Sequence, residues 1–376
     1  MAGNKLLTPM MWLLTLVLLL CFSNREAQAQ EKSKKKTRPF EVELGLATIY
    51  DDNILKYSRK YLDRFINNED EGRFHIKTYD DIIFTQSARI SASPVIYKKI
   101  KPKLNIDFNN KTYINNSIKN WYSVGVGLQQ NIIKRLSFRL SYSYIPDFYV
   151  RHFRDADLAK VYGYIPSTFV PFSFSKDSYL LWVQNTFKKT RVRLLLNYVQ
   201  YFHNEHYTEY DCNDWAYGIN ILQPVGKNFK VEFAYQFTTS DARGYDEPGE
   251  TKATADDADA TYEEDEFSLG ITWRLPRFKK KLNHNLSLDA DFQKRYYQSE
   301  HYLEVDEEHA GRVDDNFHLF VGYDIRLSKS FSLAAFYNFY NRDSDTRAEQ
   351  NQEYLSAEKD YSQNQVGVEV TYSFKF

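Results

Sequence analysis

Cysteine is nearly missing from this chain: there are two in 376 residues, Cys21 inside an N-terminal apolar run and Cys212 alone beyond it. A disulfide framework is therefore excluded. Charge of one sign is missing too. Lys and Arg number 49 against 50 Asp and Glu, a formal net charge of −1, which carries no nucleic-acid signal. Repeated apolar runs of about 20 residues, the mark of a polytopic helical membrane protein, do not occur, and the mean hydropathy is −0.59. No CxxC pair and no Gly-rich phosphate loop is found. What the chain does have is aromatic side chains: 30 Tyr and 27 Phe, with 16% aromatics in all. Disordered chains are poor in such residues.

Residues 1–29 read as a secretory signal. Lys5 supplies the positive start, Met10 to Phe22 is apolar apart from Thr15, and Ala27-Gln28-Ala29 offers a small-x-small cleavage site. That run is too short to cross a bilayer comfortably, and Leu20 before Cys21 is bulky for a lipoprotein site. Residues 30–39 follow as a basic periplasmic tail containing Lys32, Lys34, Lys35, Lys36 and Arg38, most simply solvated.

From Phe40 the period is two. Phe40, Val42, Leu44 and Leu46 share one face, with Glu41, Glu43, Gly45 and Ala47 on the other. Fourteen such segments follow, at about 40–50, 80–97, 103–115, 120–132, 136–149, 178–188, 191–203, 214–223, 229–240, 265–275, 282–297, 315–327, 331–342 and 362–376. Links after even-numbered segments are short and basic, as at Lys98-Lys99, Lys134-Arg135, Lys188-Lys189 and Arg277 to Lys281. Links after odd-numbered segments are mostly long, notably 51–79, 150–177, 241–264, 298–314 and 343–361. Short turns at one rim and long loops at the other predict an all-β fold, a transmembrane antiparallel up-and-down barrel over 40–376, with periplasmic turns and extracellular loops.

A soluble sandwich also alternates, so the second face has to decide. It is polar, as in Ser137, Arg139, Ser141 and Ser143, and suits a wet lumen while the apolar face meets lipid. Only a closed sheet satisfies strand backbones in lipid. Aromatics near strand ends, such as Phe331 and Phe339 around Leu333 and Ala335, match interfacial girdles.

The chain ends on the alternating face Val366, Val368, Val370, Tyr372, Phe374 and Phe376. This ending resembles the C-terminal signature of Gram-negative outer-membrane barrels. The resemblance implies that the barrel-assembly machinery recognises Tyr372, Phe374 and Phe376. It also implies outer-membrane lipid and lipopolysaccharide as surroundings. Tyr50-Asp51-Asp52-Asn53-Ile54 and Gly125 resemble first-hairpin motifs of such barrels, and no function is carried over from them.

Fourteen strands fall nearer an aqueous channel than a filled bore, and the pattern resembles monomeric 14-stranded porins and diffusion channels. The expected function is passive diffusion of small polar solutes or ions. Candidate lumen charges are Glu43, Arg89, Asp107, Lys111, Arg139, Arg193, Glu232, Arg274, Asp289, Asp291, Asp324, Arg326 and Glu369. They either set a field across the pore or pair across it and seal it. Residues 241–266 hold 11 acids against Arg243 and Lys252, which at a pore mouth would favour cations. Asp257-x-Asp259-x-Thr261 has calcium-like spacing but lacks the glycine and terminal glutamate of an EF-hand, and reads as a solvated loop with no metal. The apolar stretch 162–174, with Tyr164, Phe169 and Phe172, is expected to constrict the bore, meet a partner or pack on its neighbours.

Two other classes stay open. One is a non-conducting barrel that anchors or assists a surface-export partner. The other is an outer-rim hydrolase, for which His203 and His206 with Glu205, Glu209 and Asp211 form the densest grouping. No nucleophile stands at a recognisable spacing from them, Cys212 reads as an incidental thiol, and no cofactor motif is present, so the expectation is no enzyme. No strand face carries a stripe suited to subunit contacts, so a monomer is expected.

Overall fold

The computed structural model describes residues 40–95, 101–276 and 282–376. The leader, the basic tail and the turn residues Lys98, Lys99 and Arg277 to Lys281 lie outside the described residues. Fourteen strands follow in chain order: β1 Phe40–Asp51, β2 Asp81–Ala92, β3 Lys103–Tyr113, β4 Trp121–Ile133, β5 Leu136–Arg154, β6 Phe169–Phe187, β7 Thr190–His203, β8 Cys212–Val225, β9 Phe229–Ala242, β10 Tyr262–Arg274, β11 Asn283–Tyr297, β12 Arg312–Arg326, β13 Phe331–Thr346 and β14 Tyr361–Lys375. Each pairs antiparallel with its sequence neighbours, and β1 pairs with β14 to close the barrel. At the seam Phe40 and Phe376 exchange backbone hydrogen bonds of 3.3 and 3.1 Å, and their rings stack at 5.6 Å.

The strands outrun the sequence reading at the loop rim. Half of the 150–177 segment belongs to β5 and β6, each 19 residues long, and the true link is 155–168 with helix α2 (Ala156–Tyr162). Bulges between Ile145 and Phe148 and between Tyr149 and Arg151 let the β5 hairpin twist beyond the body of the barrel and accommodate Pro146.

Register divides the side chains cleanly. Outward positions carry the exposed apolar residues, among them Leu44, Leu46 (61% exposed), Ile90, Leu194, Leu269, Leu288, Val366 and Val368. From Phe187 to Tyr179 on β6, or from Ile325 to Phe317 on β12, no outward residue is charged. Nine residues rise about 30 Å, or roughly 23 Å at a tilt of about 40°. Several of the first outward charges above this band are paired: Asp177 accepts from the Tyr142 hydroxyl at 2.5 Å, Asp265 from that of Tyr235 at 2.7 Å, and Lys294 meets Asp315 at 3.0 Å. At the Asp177 level, Tyr142, Tyr179, Tyr198 and Trp215 form a continuous run of ring contacts of 4.5–6.1 Å across four strands.

The buried core lies inside the bore, and the 52–80 link supplies half of it. That link carries helix α1 (Arg59–Ile66) and folds inward. Ile54, Leu55, Tyr57, Tyr61 and Ile76 pack with Ile49, Ile83, Tyr113 and Tyr149 of β1, β2, β3 and β5. Tyr61 and Phe65, four residues apart on α1, share one helical face, and Tyr57, just before the helix, packs on Tyr61 with ring centres 5.7 Å apart. Burying side chains of this size contributes about 1.5–3 kcal/mol each. A solvated pair such as Arg59–Asp63 on the same helix contributes about 0–1 kcal/mol. Packing therefore contributes more to seating the loop than such surface ion pairs do.

Candidate functional site

The inserted loop is tied to the wall on several sides. Asp51 at the end of β1 accepts from Asn53 N–H (2.9 Å), from Gln363 (2.8 Å) and from Gln365 (2.8 Å). Asn53 holds Tyr57 and donates to the Ser362 carbonyl at 3.0 Å. Asp52 takes both the backbone and side-chain amides of Asn364 at 2.7 Å. Farther along, Lys60 and Tyr61 both donate to Glu358 on helix α3 (Gln352–Lys359). Arg151 of β5 donates to the Leu55 carbonyl at 2.5 Å, and its guanidinium lies 4.7 Å from the Tyr57 ring centre. Arg73 sits over the rings of Tyr61 and Phe169 at 4.6 and 4.9 Å.

Beside this loop, beneath the outer links, lies a cavity of about 690 Å³. Seven Lys and Arg and ten Asp and Glu side chains line it. The bases come mainly from the strand ends: Arg295 pairs with Glu264 at 2.8 Å, Arg312 is bidentate on fully buried Asp314 at 2.7 and 2.6 Å, and Arg342 bonds Asn316 at 2.9 Å. The acids come mainly from the links. Burial would raise the Glu308 carboxyl, but Lys359, His309 and Arg312 outweigh it and hold the group at about 2. Glu209 has no such counter-charge. Burial, with Asp257, Asp246 and Asp155 nearby, pushes it up to about 8. The result is a vestibule with a basic wall and an acidic rim.

All thirteen charged residues singled out from the sequence share the inward face by register. Their partners lie along the wall. Arg89 pairs with Asp107 of the next strand, Arg193 bonds Gln184 at 3.0 Å, and Glu232 accepts from Asn220 at 2.6 Å. Asp324 accepts from Asn285 at 3.0 Å, and Asp291 meets His318 at 2.8 Å. Lys111 lies over the Trp121 ring at 5.4 Å. Glu43, Arg139, Arg274, Asp289, Arg326 and Glu369 complete the inward set. Tyr372 and Phe374 face outward, and Phe376 is exposed beside them.

The aromatic stretch 162–174 splits three ways. Tyr164 is 79% exposed, with Arg154 over its ring at 4.4 Å. Phe169 is buried between Arg73 and Arg154. Phe172 lines the vestibule and packs on Phe153, His203, Tyr207 and Tyr210. The segment that enters the bore is 52–80, which the sequence reading took as an outer loop. Its signal was the four-residue spacing of Tyr57, Tyr61 and Phe65 between two strands.

Nor is the acidic stretch a diffuse cloud. Asp259 is fully buried, accepting from Thr261 (2.6 Å to its hydroxyl) and from Glu300 N–H at 3.1 Å. Glu264, Asp241 and Asp256 are taken by Arg295, Lys252 and Lys160. The histidines divide between two separate pairs, His203 with Asp211 at 3.4 Å and His206 with Asp155 at 2.8 Å.

No family profile and no curated protein matches the sequence. Solved structures similar in fold include the TodX monoaromatic hydrocarbon channel deltaS2 mutant, at 9% identity over 90% of this chain and 91% of that one, TM-score 0.46. The outer membrane channel DcaP of Acinetobacter baumannii is similar at 12% identity over 92% and 100% of the chains, TM-score 0.43. An anion-selective porin from Comamonas acidovorans is similar at 9% identity over 89% and 98%, TM-score 0.40. The chain is a closed 14-strand antiparallel barrel whose structural neighbours are outer-membrane porins and channels.

Proposed function

We propose that this protein is an outer-membrane channel for small polar solutes or ions, narrowed at its outer half by the inserted 52–80 loop. The carrying observation is the lateral pairing of the lumen charges. Arg89 with Asp107, Arg193 with Gln184 and Asp291 with His318 each meet a neighbour along the wall, so these pairs do not cross the bore. Membrane insertion is supported by the outward apolar face. Soluble monomers rarely expose contiguous apolar patches beyond a few hundred Å², whereas this band recurs on strand after strand. A weak cation preference follows from the vestibule, where ten acids face seven bases.

The second reading is a non-conducting barrel acting as an anchor or export partner. It draws on the nine-member buried cluster inside the bore. Conductance of the folded barrel in planar bilayers separates the two. Steady openings with a cation-shifted reversal potential are expected. Silence, even after the 52–80 loop is released, would overturn the channel and leave the anchor.

A further inference from the structure

Three carboxylates converge beside the vestibule. Asp157 comes from α2, Asp246 and Asp257 from the 243–261 link, and one oxygen of each lies within 4.8 Å of the others. Two oxygens on one calcium ion, each at about 2.3–2.6 Å, are at most about 5 Å apart. Like charges this close repel, and the local neutralisation is incomplete. Lys160 reaches Asp157 at 3.0 Å but also Asp256 at 2.8 Å. Asp246 N–H donates to Asp257 at 3.1 Å, yet one Asp246 carboxylate oxygen is buried without a partner.

An independent observation comes from a third link, 204–211. Glu209 is only 8% exposed and lines the same cavity as Asp246 and Asp257. Its Oε2 is buried with no hydrogen-bond partner. Asp155, held by His206, and Lys160 with its second partner Asp256 are further charged groups at this corner. A divalent cation among the three aspartates would satisfy the orphaned Asp246 oxygen and relieve the repulsion that Glu209 shares.

We propose that Asp157, Asp246 and Asp257 form a site for a hard divalent cation of the calcium class, tying α2 to the 243–261 link over the vestibule, with the unpartnered Glu209 carboxyl on the same cavity adding to its negative field. The donors are all carboxylate oxygens, which suits calcium, magnesium or manganese rather than zinc or copper. Asp259, two residues from Asp257, is no ligand, because both its oxygens cap backbone and hydroxyl groups.

The test is calcium titration of the barrel folded from the full-length chain, by calorimetry and by tyrosine-sensitised terbium luminescence. One equivalent should bind, with a dissociation constant of about 10⁻⁴–10⁻³ M, the range of extracellular modules. The double variant Asp246→Asn/Asp257→Asn should weaken binding at least about tenfold, or about 1.4 kcal/mol. Should that variant not fold, Glu209→Gln should still weaken it about threefold or more. Glu247→Gln, on the exposed side of the same link, should bind as the parent does. Calcium should also slow tryptic cleavage at Arg243 and Lys252 in the parent. No binding up to about 10 mM, or unchanged affinity in the double variant, would overturn the site. Binding is read in detergent without conduction, so this result and the channel test fail separately.

Discussion

Asn53 grips Tyr57 from both ends of its peptide frame: the side-chain oxygen accepts from Tyr57 N–H at 2.8 Å, and the side-chain amide donates to the Tyr57 carbonyl at 2.8 Å. These bonds turn the chain sharply as it leaves β1 and aim α1 into the bore. Losing buried hydrogen bonds of this kind costs about 1–3 kcal/mol where groups are left unpaired. Asn53→Ala should therefore unseat the loop while the barrel stays folded. Tryptic cleavage at Arg59, Lys60 and Arg64 should accelerate and single-channel conductance should rise. Unchanged cleavage would show that packing alone holds the loop.

The two faces of β10 predict opposite responses to one substitution. Leu269 is 48% exposed on the outward side, and Ser268 beside it faces the lumen opposite Asp291. Leu269→Arg should cost about 2–4 kcal/mol at mid-bilayer depth and lower the yield of heat-resistant folded barrel. Ser268→Arg should fold normally. Equal tolerance of both would argue against a lipid-facing surface.

The pH response of the outer links follows from Glu209. Its carboxyl titrates near 8 in the folded protein, against an ordinary value of 4.5. Across that window the folded state holds more protons than the unfolded one, so its contribution to stability falls as pH rises. Proteolysis of 204–211 should quicken between about pH 5 and 9 in the absence of divalent cations. Glu209→Gln should flatten that dependence, and a dependence as steep as the parent's would assign it to another group.

Arg89 partners Asp107 across β2 and β3, and its side chain is half exposed to the bore. Arg89→Ala should leave one unbalanced carboxylate on the wall. A unit charge about 5 Å away in water is worth roughly 0.8 kcal/mol. The cation-to-anion permeability ratio should rise, by no more than about fifteenfold, because the charge favours cations and disfavours anions by that amount each. A shift toward anions in the reversal potential would contradict the pairing.

Strand parity was the most legible part of this structure, because a period of two leaves only two faces and polarity tells them apart. It located Glu369 and Arg139 on the same surface though more than two hundred residues separate them. Strand ends were harder to read. Pro146 and Pro171 look like terminators, yet β5 and β6 run through both, with a bulge absorbing Pro146. The inward loop was hidden for another reason. Its anchors, Gln363, Glu358 and Arg151, lie far away in sequence, and a local pattern cannot register a contact set by closure. The cation corner was equally scattered, since Asp157 meets Asp246 and Asp257 only through two separate links.

Thirteen of the fourteen ladders join strands adjacent in sequence, and one joins β1 to β14. Bringing ends some 320 residues apart together carries an entropic charge of about 5 kcal/mol beyond that of a minimal loop. Asp51, Asp52 and Asn53 all bond residues of β14 or their backbone. The bore is therefore occupied by a segment whose full footing exists only once the cylinder is complete. An unfinished barrel, still open along its side, offers the loop the walls of β1, β2, β3 and β5 but not the β14 anchors, so the final narrowing of the passage reports that assembly has ended.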